Sequence, residues 1–268
     1  MVQEYLRPAS LEEALSLKAS HPGAAYLAGG TFLLAGDYRD KPEALIDLSR
    51  LLPRRIELGG GMLRIGAGAS FQDLVEAEGL PKALKDAALS MVNRNVRNRA
   101  SVGGNLGAAK SCASLIPVLL ALGATARVST RSAKAESMSL EAWLEAPQGL
   151  VLELELPLMA GARAAFARLA RTACDVSVLT CSVAYRLAPT GALEGVRLAL
   201  GGLGPRARLF PELSRLLEGR PLPSREAIEA AARPLFHART DWRGSSAYKE
   251  LRAAALVAEA LYGAEELA

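Results

Sequence analysis

Histidine and cysteine are scarce in this chain. Its 268 residues include two histidines, His21 and His237, and three cysteines, Cys112, Cys174 and Cys181. An odd number of cysteines with no C-x-x-C spacing does not describe a disulfide framework, a zinc site or an iron–sulfur site. Two distant histidines cannot assemble a His-based metal centre or a catalytic triad, and each reads as a surface or loop residue. Long apolar runs are missing too. The longest, Leu115 to Leu122, is interrupted by Pro117 and falls short of the ~20 residues a membrane span needs. The first ten residues carry Glu4 and Arg7 and no secretory pattern, so the expectation is a cytoplasmic protein without a membrane span. The net charge of +4 is spread along the chain, and the one tight basic cluster, Arg94, Arg97 and Arg99, has no aromatic interleaved for base stacking. That argues against nucleic-acid binding. No catalytic constellation and no metal site emerge, and a bound cofactor would fill that gap.

What is present is an ordinary globular composition, half hydrophobic and 22% charged. A chain of this length buries roughly three quarters of its unfolded surface, enough for one large domain or two modest ones. Two glycine pairs organise it. Arg97-Asn98-Arg99-Ala100-Ser101-Val102-Gly103-Gly104-Asn105 sets one pair after a basic approach; Ala28-Gly29-Gly30-Thr31 sets the other directly after a short strand. Adjacent glycines let the backbone take positive φ and let a phosphate approach its N–H groups closely. A strand feeding a glycine turn aims donors at such an anion, although a plain turn has the same composition. A third cluster, Gly59-Gly60-Gly61, lies between two strands and reads as a hairpin turn.

In order, Ser10-Leu11-Glu12-Glu13 predicts a capping box and a helix to about Lys18. Strands are expected over 24–27, 45–48, 56–58 and 62–67. Helices follow over about 70–78, capped by Ser70, over 82–91 and over 112–122, the last apolar on most sides. Residues 124–130 form a strand. Residues 149–156 alternate as an antiparallel strand, with Leu150, Leu152, Leu154 and Leu156 inward and Glu153 and Glu155 on a wet face. A linker at 157–161 separates longer strands over 164–171, 176–187 and 195–200, then helices capped by Ser224 and by Ser245 or Ser246. That second part reads as a three-stranded meander covered by helices.

Taken together, these motifs resemble the FAD-binding (medium) subunit of the molybdenum hydroxylases, the carbon monoxide dehydrogenase and xanthine dehydrogenase type. Ala28 to Thr31 and the segment Pro42 to Leu48 resemble the first flavin loop and the strand after it. Val96 to Asn105 resembles the second loop, and Asp175-Val176-Ser177, Gly201-Gly202 and Asp241 to Ser245 resemble later landmarks. The resemblance implies an α+β fold: a two-part FAD-binding domain of the vanillyl-alcohol-oxidase (PCMH) type over 1–160, with subdomains of about 1–54 and 55–160. A smaller α+β domain with a three-stranded antiparallel sheet covered by helices would follow over 161–268. It also implies FAD as cofactor, held through Leu27, Ala28, Gly29, Gly30, Thr31, Phe32 and Leu33, through Ser101, Val102, Gly103, Gly104 and Asn105, and through Ser114 and Arg168. The partners implied are a molybdopterin-containing large subunit, a [2Fe-2S] small subunit, and NAD⁺ or another electron acceptor.

The chain departs from the family pattern in places. Ser114 stands where an aspartate is usual, with Lys110 and Cys112 nearby in place of a Ser-Pro context. Phe32 occupies an often polar position. Phe166 is either core or a flavin neighbour, and Arg168 either serves the flavin or an anionic acceptor or is a solvated strand charge. Two functions compete: an electron-transfer flavoprotein subunit, and a structural subunit of the same complex with weak FAD binding. A free-standing flavin enzyme would need an acid–base group that is not evident.

Overall fold

The computed structural model describes residues 2–35, 42–130 and 134–267. The chain begins with a small parallel sheet. Strands β1 (Glu4–Leu6) and β2 (Ala25–Leu27) pair with either edge of β3 (Ala44–Asp47), and α1 (Leu11–Ser20) connects the first two. Ser10 starts α1 as expected, its hydroxyl accepting from the Glu13 N–H at 3.1 Å. Glu13 reaches back to the N–H of Ala9 rather than that of Ser10. All four residues of β3 are buried, and Ala44 and Ile46 join one continuous core with Leu63, Ile65 and Leu154 of the antiparallel sheet that follows.

An antiparallel sheet follows. It consists of β4 (Ile56–Gly59), β5 (Met62–Gly66), β6 (Thr125–Ser129), β7 (Glu136–Ser139) and β8 (Leu150–Pro157), in the order β4-β5-β8-β6-β7. Gly60 and Gly61 take φ of +60° and +71° at the β4–β5 turn, the structural use expected of them. Between β5 and β6 run α2 (Phe71–Glu76), α3 (Lys82–Leu89), α4 (Arg94–Arg99), α5 (Val102–Ala108) and α6 (Leu115–Ala121); α7 (Leu140–Glu145) links β7 to β8. Ser70 and Asp73 form a reciprocal capping box at α2.

Glu153 corrects the expected wet face of β8. It is 2% exposed, and its carboxylate accepts from Arg55 at 2.9 Å and Arg127 at 3.3 Å. β8 is the middle strand of five, and the arginines reaching over it from either side bury its polar face under their stems.

The C-terminal part is a meander of β9 (Ala162–Leu169), β10 (Leu179–Leu187) and β11 (Leu193–Gly201), covered by α8 (Pro211–Leu217), α9 (Arg225–Ala232) and α10 (Ser246–Tyr262). Two-residue strands, β12 (Arg208–Leu209) and β13 (Glu265–Glu266), extend it on both edges, so the sheet has five strands where three were expected. Strands this short leave no periodic trace in a sequence. One face of β10, with Leu179, Cys181 and Val183, packs under the helices. The other packs on α6, whose seven residues are all buried.

Three arginines fasten that second face. Arg168 donates to the carbonyl of Ser90, which ends α3; Arg197 donates to Leu120 near the end of α6; and Arg206 donates to Leu144 near the end of α7. A cation at a helix C-terminus meets unpaired carbonyls and the negative end of the dipole, worth ~0.3–1 kcal/mol each. The two parts are joined by the same device three times over.

Candidate functional site

β2 delivers the first glycine motif. Its last residue, Leu27, accepts from the Leu48 N–H at 2.7 Å, which pins the strand end before the chain turns. A Cβ at Gly29 would fall 1.6 Å from the carbonyl oxygen of Arg99, the last residue of α4. The first motif thus lies backbone to backbone against the segment that opens the second, and only glycine permits that approach. Gly30 takes φ of +73° and its carbonyl accepts from the Leu34 N–H at 3.0 Å, which closes a turn over Thr31, Phe32 and Leu33. Among the described residues, no acceptor is recorded for the N–H groups of Gly29, Gly30 and Thr31.

The second motif is not a loop. Ser101 caps α5, so Val102, Gly103, Gly104 and Asn105 lie in its first turns. The N–H groups of Val102 and Gly103 donate to the carbonyls of Ala69 and Ala67 at 2.9 and 2.8 Å, and that of Gly104 donates to the Ser101 hydroxyl at 3.1 Å. These are the donors a helix start leaves unpaired; the chain following β5 satisfies the first two, and the Ser101 cap satisfies the third. Gly103 is glycine because a Cβ would stand 2.9 Å from that of Ala67. Gly104 is exposed, and a Cβ there would meet only the Ser101 hydroxyl, at 2.8 Å. The Oδ1 of Asn105 is buried without a hydrogen-bond partner. A buried amide oxygen left alone costs about 1–3 kcal/mol unless a ligand or water satisfies it.

The arginine cluster divides its work. Arg94 pairs with Glu76 at 2.6 Å, and Arg97 donates to Gln72 at 2.9 Å, both holding α4 onto α2. Arg99 alone turns to the first motif, its Nη2 3.5 Å from the Gly29 carbonyl. At the far end of α5, Ala109 takes a left-handed φ of 42°, and Lys110 sets its ammonium 4.3 Å from the centroid of the Phe32 ring.

Ser114 and Arg168 lie in a second group. The Ser114 hydroxyl is 2.9 Å from that of Ser90, and Ser114 is 6% exposed. Arg168 donates to four carbonyls: Ser90 at 2.5 Å, Thr172 at 3.2 Å, Ala173 at 3.3 Å and Asp175 at 3.1 Å. Burial lowers its pKa while Asp175 raises it. Arg168 is therefore neither a solvated strand charge nor a free cation; it ties the β9–β10 loop to the end of α3. Phe166 lines a cavity of about 290 Å³ with Lys82, Asp86, Glu259 and Glu265, which no residue of either glycine motif touches.

Sequence reasoning passed over Asp241 and Lys249 as a pair. Lys249 is fully buried and donates to Asp241 at 2.8 Å and to the Arg239 carbonyl at 2.9 Å. Burial opposes the charge on Asp241, but hydrogen bonds from Arg243 and Lys249 outweigh it and hold the carboxyl well below the usual carboxylate range. The spacing of eight residues hid the pair. Cys181 is inert, because burial pushes its thiol far up. Among the described residues, no cluster of His, Cys, Asp or Glu has the makings of a metal site, and no helix is long and apolar enough to cross a membrane.

Glycine motifs that meet backbone to backbone, with unengaged amide donors on one side and an orphaned amide oxygen on the other, mark a protein that binds a nucleotide cofactor. Residues 1–159 match the FAD-binding domain of molybdopterin dehydrogenases, and residues 164–264 match the C-terminal domain of carbon monoxide dehydrogenase flavoproteins. The chain belongs to this family of oxidoreductase flavoprotein subunits. It is 32% identical to the uncharacterised protein YgfM of Escherichia coli K12, with 97% of this chain and 95% of that one covered. It is 29% identical to the putative xanthine dehydrogenase FAD-binding subunit XdhB of the same organism, over 91% of this chain and 90% of the other. Among solved structures it is similar to a chain of carbon monoxide dehydrogenase from Hydrogenophaga pseudoflava, with a TM-score of 0.89 and 26% identity. That match covers 98% of this chain and 96% of the other.

The residues present fit FAD. The unengaged N–H groups of Gly29 to Thr31 suit an anion, the missing Cβ at Gly104 leaves its exposed face clear, and the Asn105 oxygen awaits a donor.

Proposed function

We propose that this chain is the FAD-carrying electron-transfer subunit of a heteromeric molybdenum hydroxylase. It takes electrons from a [2Fe-2S] subunit and passes them to NAD⁺, a quinone or another acceptor, while a molybdopterin-containing large subunit oxidises the organic substrate in the cytoplasm. Residues 1–160 form a two-part domain of the vanillyl-alcohol-oxidase (PCMH) type that holds the cofactor, and residues 161–268 form the covering domain. When bound, FAD supplies the exchange between one-electron donors and a two-electron acceptor. The chain's own part is to bind and orient it. Gly29 to Thr31 offer main-chain donors to the pyrophosphate, Gly104 keeps a face clear, and Asn105 offers its oxygen to a cofactor hydroxyl or amide.

The observation that carries this reading is the close approach of Gly29 to Arg99, which brings both motifs of the matched FAD-binding domain to one place. The test is reconstitution of the purified full chain with FAD, followed by gel filtration. The expected result is a yellow protein with an oxidised-flavin band that survives the column. A colourless protein, with no binding at FAD well above micromolar, contradicts it.

A second reading, a structural subunit with weak FAD binding, draws on one observation. Ser114, buried against Ser90, puts a neutral hydroxyl where relatives usually carry an aspartate. A large gain in FAD affinity in Ser114→Asp supports the structural reading; no gain supports the flavoprotein reading.

A further inference from the structure

Lys110 has no evident role in the fold. It is exposed, it follows the residue that ends α5, and its recorded contact is the face of Phe32. Among the described residues no carboxylate pairs with its ammonium. The left-handed turn at Ala109 is uncommon for a residue with a Cβ, and it ends α5 just before the lysine that reaches the first glycine motif. Phe32 adjoins Thr31, so the charge stands beside the segment whose amide donors have no recorded acceptor.

Among the described residues, the arginines beside the two motifs have partners of their own. Arg94 and Arg97 hold α2, and Arg99 donates to the Gly29 carbonyl that shapes the turn. Main-chain donors are neutral, and a pyrophosphate carries about two negative charges. A flexible lysine resting on an aromatic ring keeps its charge near the first motif at little cost in desolvation. It exchanges that ring for a phosphate oxygen, a stronger partner for an ammonium.

We propose that Lys110, parked on Phe32 in the free chain, is the cationic ligand of the cofactor's pyrophosphate. This rests on the flavoprotein reading above and adds to it the residue that supplies the counter-charge. It also accounts for an aromatic at position 32, since the ring holds the lysine over the first motif before the cofactor arrives.

The test compares full-length wild type, Lys110→Met and Lys110→Arg in titrations with FAD and with riboflavin, which lacks phosphate, over a series of salt concentrations. Near-UV circular dichroism checks that each variant is folded. Lys110→Met is expected to lose FAD affinity roughly ten- to hundredfold, as for a charged hydrogen bond. Its FAD affinity should also depend less on salt, its riboflavin affinity should match wild type, and Lys110→Arg should stay within a few fold of wild type. Unchanged FAD affinity and salt dependence in Lys110→Met overturn the proposal. An equal loss of FAD and riboflavin affinity overturns it too, because the lysine would then act through the fold. A wild-type chain that binds no FAD overturns the flavoprotein reading itself, which separates the two failures.

Discussion

The two glycine pairs look alike in the sequence and do different work in the molecule. Gly29-Gly30 sits in an irregular turn whose amide donors have no recorded acceptor; Gly103-Gly104 sits in the first turn of α5, its donors bonded to Ala67 and Ser101. Gly29 and Gly103 are both needed for close packing, but against different things, the Arg99 carbonyl and Ala67. A Gly-Gly motif therefore does not announce an anion site by itself. What matters is whether the surrounding chain has already used the N–H groups. Among the described residues, the first pair has no acceptor for its donors, whereas the second has its donors bonded and follows the segment that packs against Gly29.

Four substitutions break or sharpen this contrast. Gly29→Ala has the largest expected effect. A methyl 1.6 Å from a carbonyl oxygen has to separate the two motifs, costing roughly 3 kcal/mol or more, with FAD binding lost; chemical denaturation and flavin titration measure both. Asp241→Asn is the remote control. It leaves the buried Lys249 without its counter-charge, so a loss of about 3 kcal/mol is expected. The fraction still folded should bind FAD as wild type does, and a lost FAD affinity would mean that the anchor and the motifs act as one unit.

The same aspartate sets a pH dependence. Its folded pKa is depressed, so its contribution is fully present above the ordinary carboxylate pKa and fades as pH falls through the folded value. Wild type should therefore lose more stability than Asp241→Asn between about pH 5 and pH 2, measured by urea midpoints. Gly30→Ala comes next, at about 1–2 kcal/mol, because an L residue resists φ of +73°. Gly104→Val should change stability least, by under ~1 kcal/mol, since its side chain would stand exposed and meet only the Ser101 hydroxyl. It should nevertheless lower FAD retention on gel filtration. Retention unchanged would remove the second motif from the phosphate site.

Much of the fold was legible because helix starts carry side-chain signatures. Ser10, Ser70, Ser224 and Ser245 all cap helices where expected. The alternation of β8 revealed the strand but not the burial of Glu153, which depends on Arg55, just before β4, and Arg127, in β6. α4 and α5 were missed. Six or seven residues are too few to nucleate a helix readily, the Asn and Gly they contain disfavour it further, and carbonyls at 67 and 69, distant in sequence, secure the second of them. Of the candidate site, both glycine motifs and Asn105 stood out in the sequence. The contact of Lys110 with Phe32 was not, since it depends on the backbone turn at Ala109.

The division of labour between the motifs is tested most directly by amide chemical shifts. ¹⁵N–¹H spectra of the full chain would be followed as FAD is added. The account predicts large shifts for the amides of Gly29, Gly30 and Thr31 and small ones for Val102 and Gly103, whose hydrogens are already bonded. Large shifts at Val102 and Gly103 with none at Gly29 to Thr31 would contradict it.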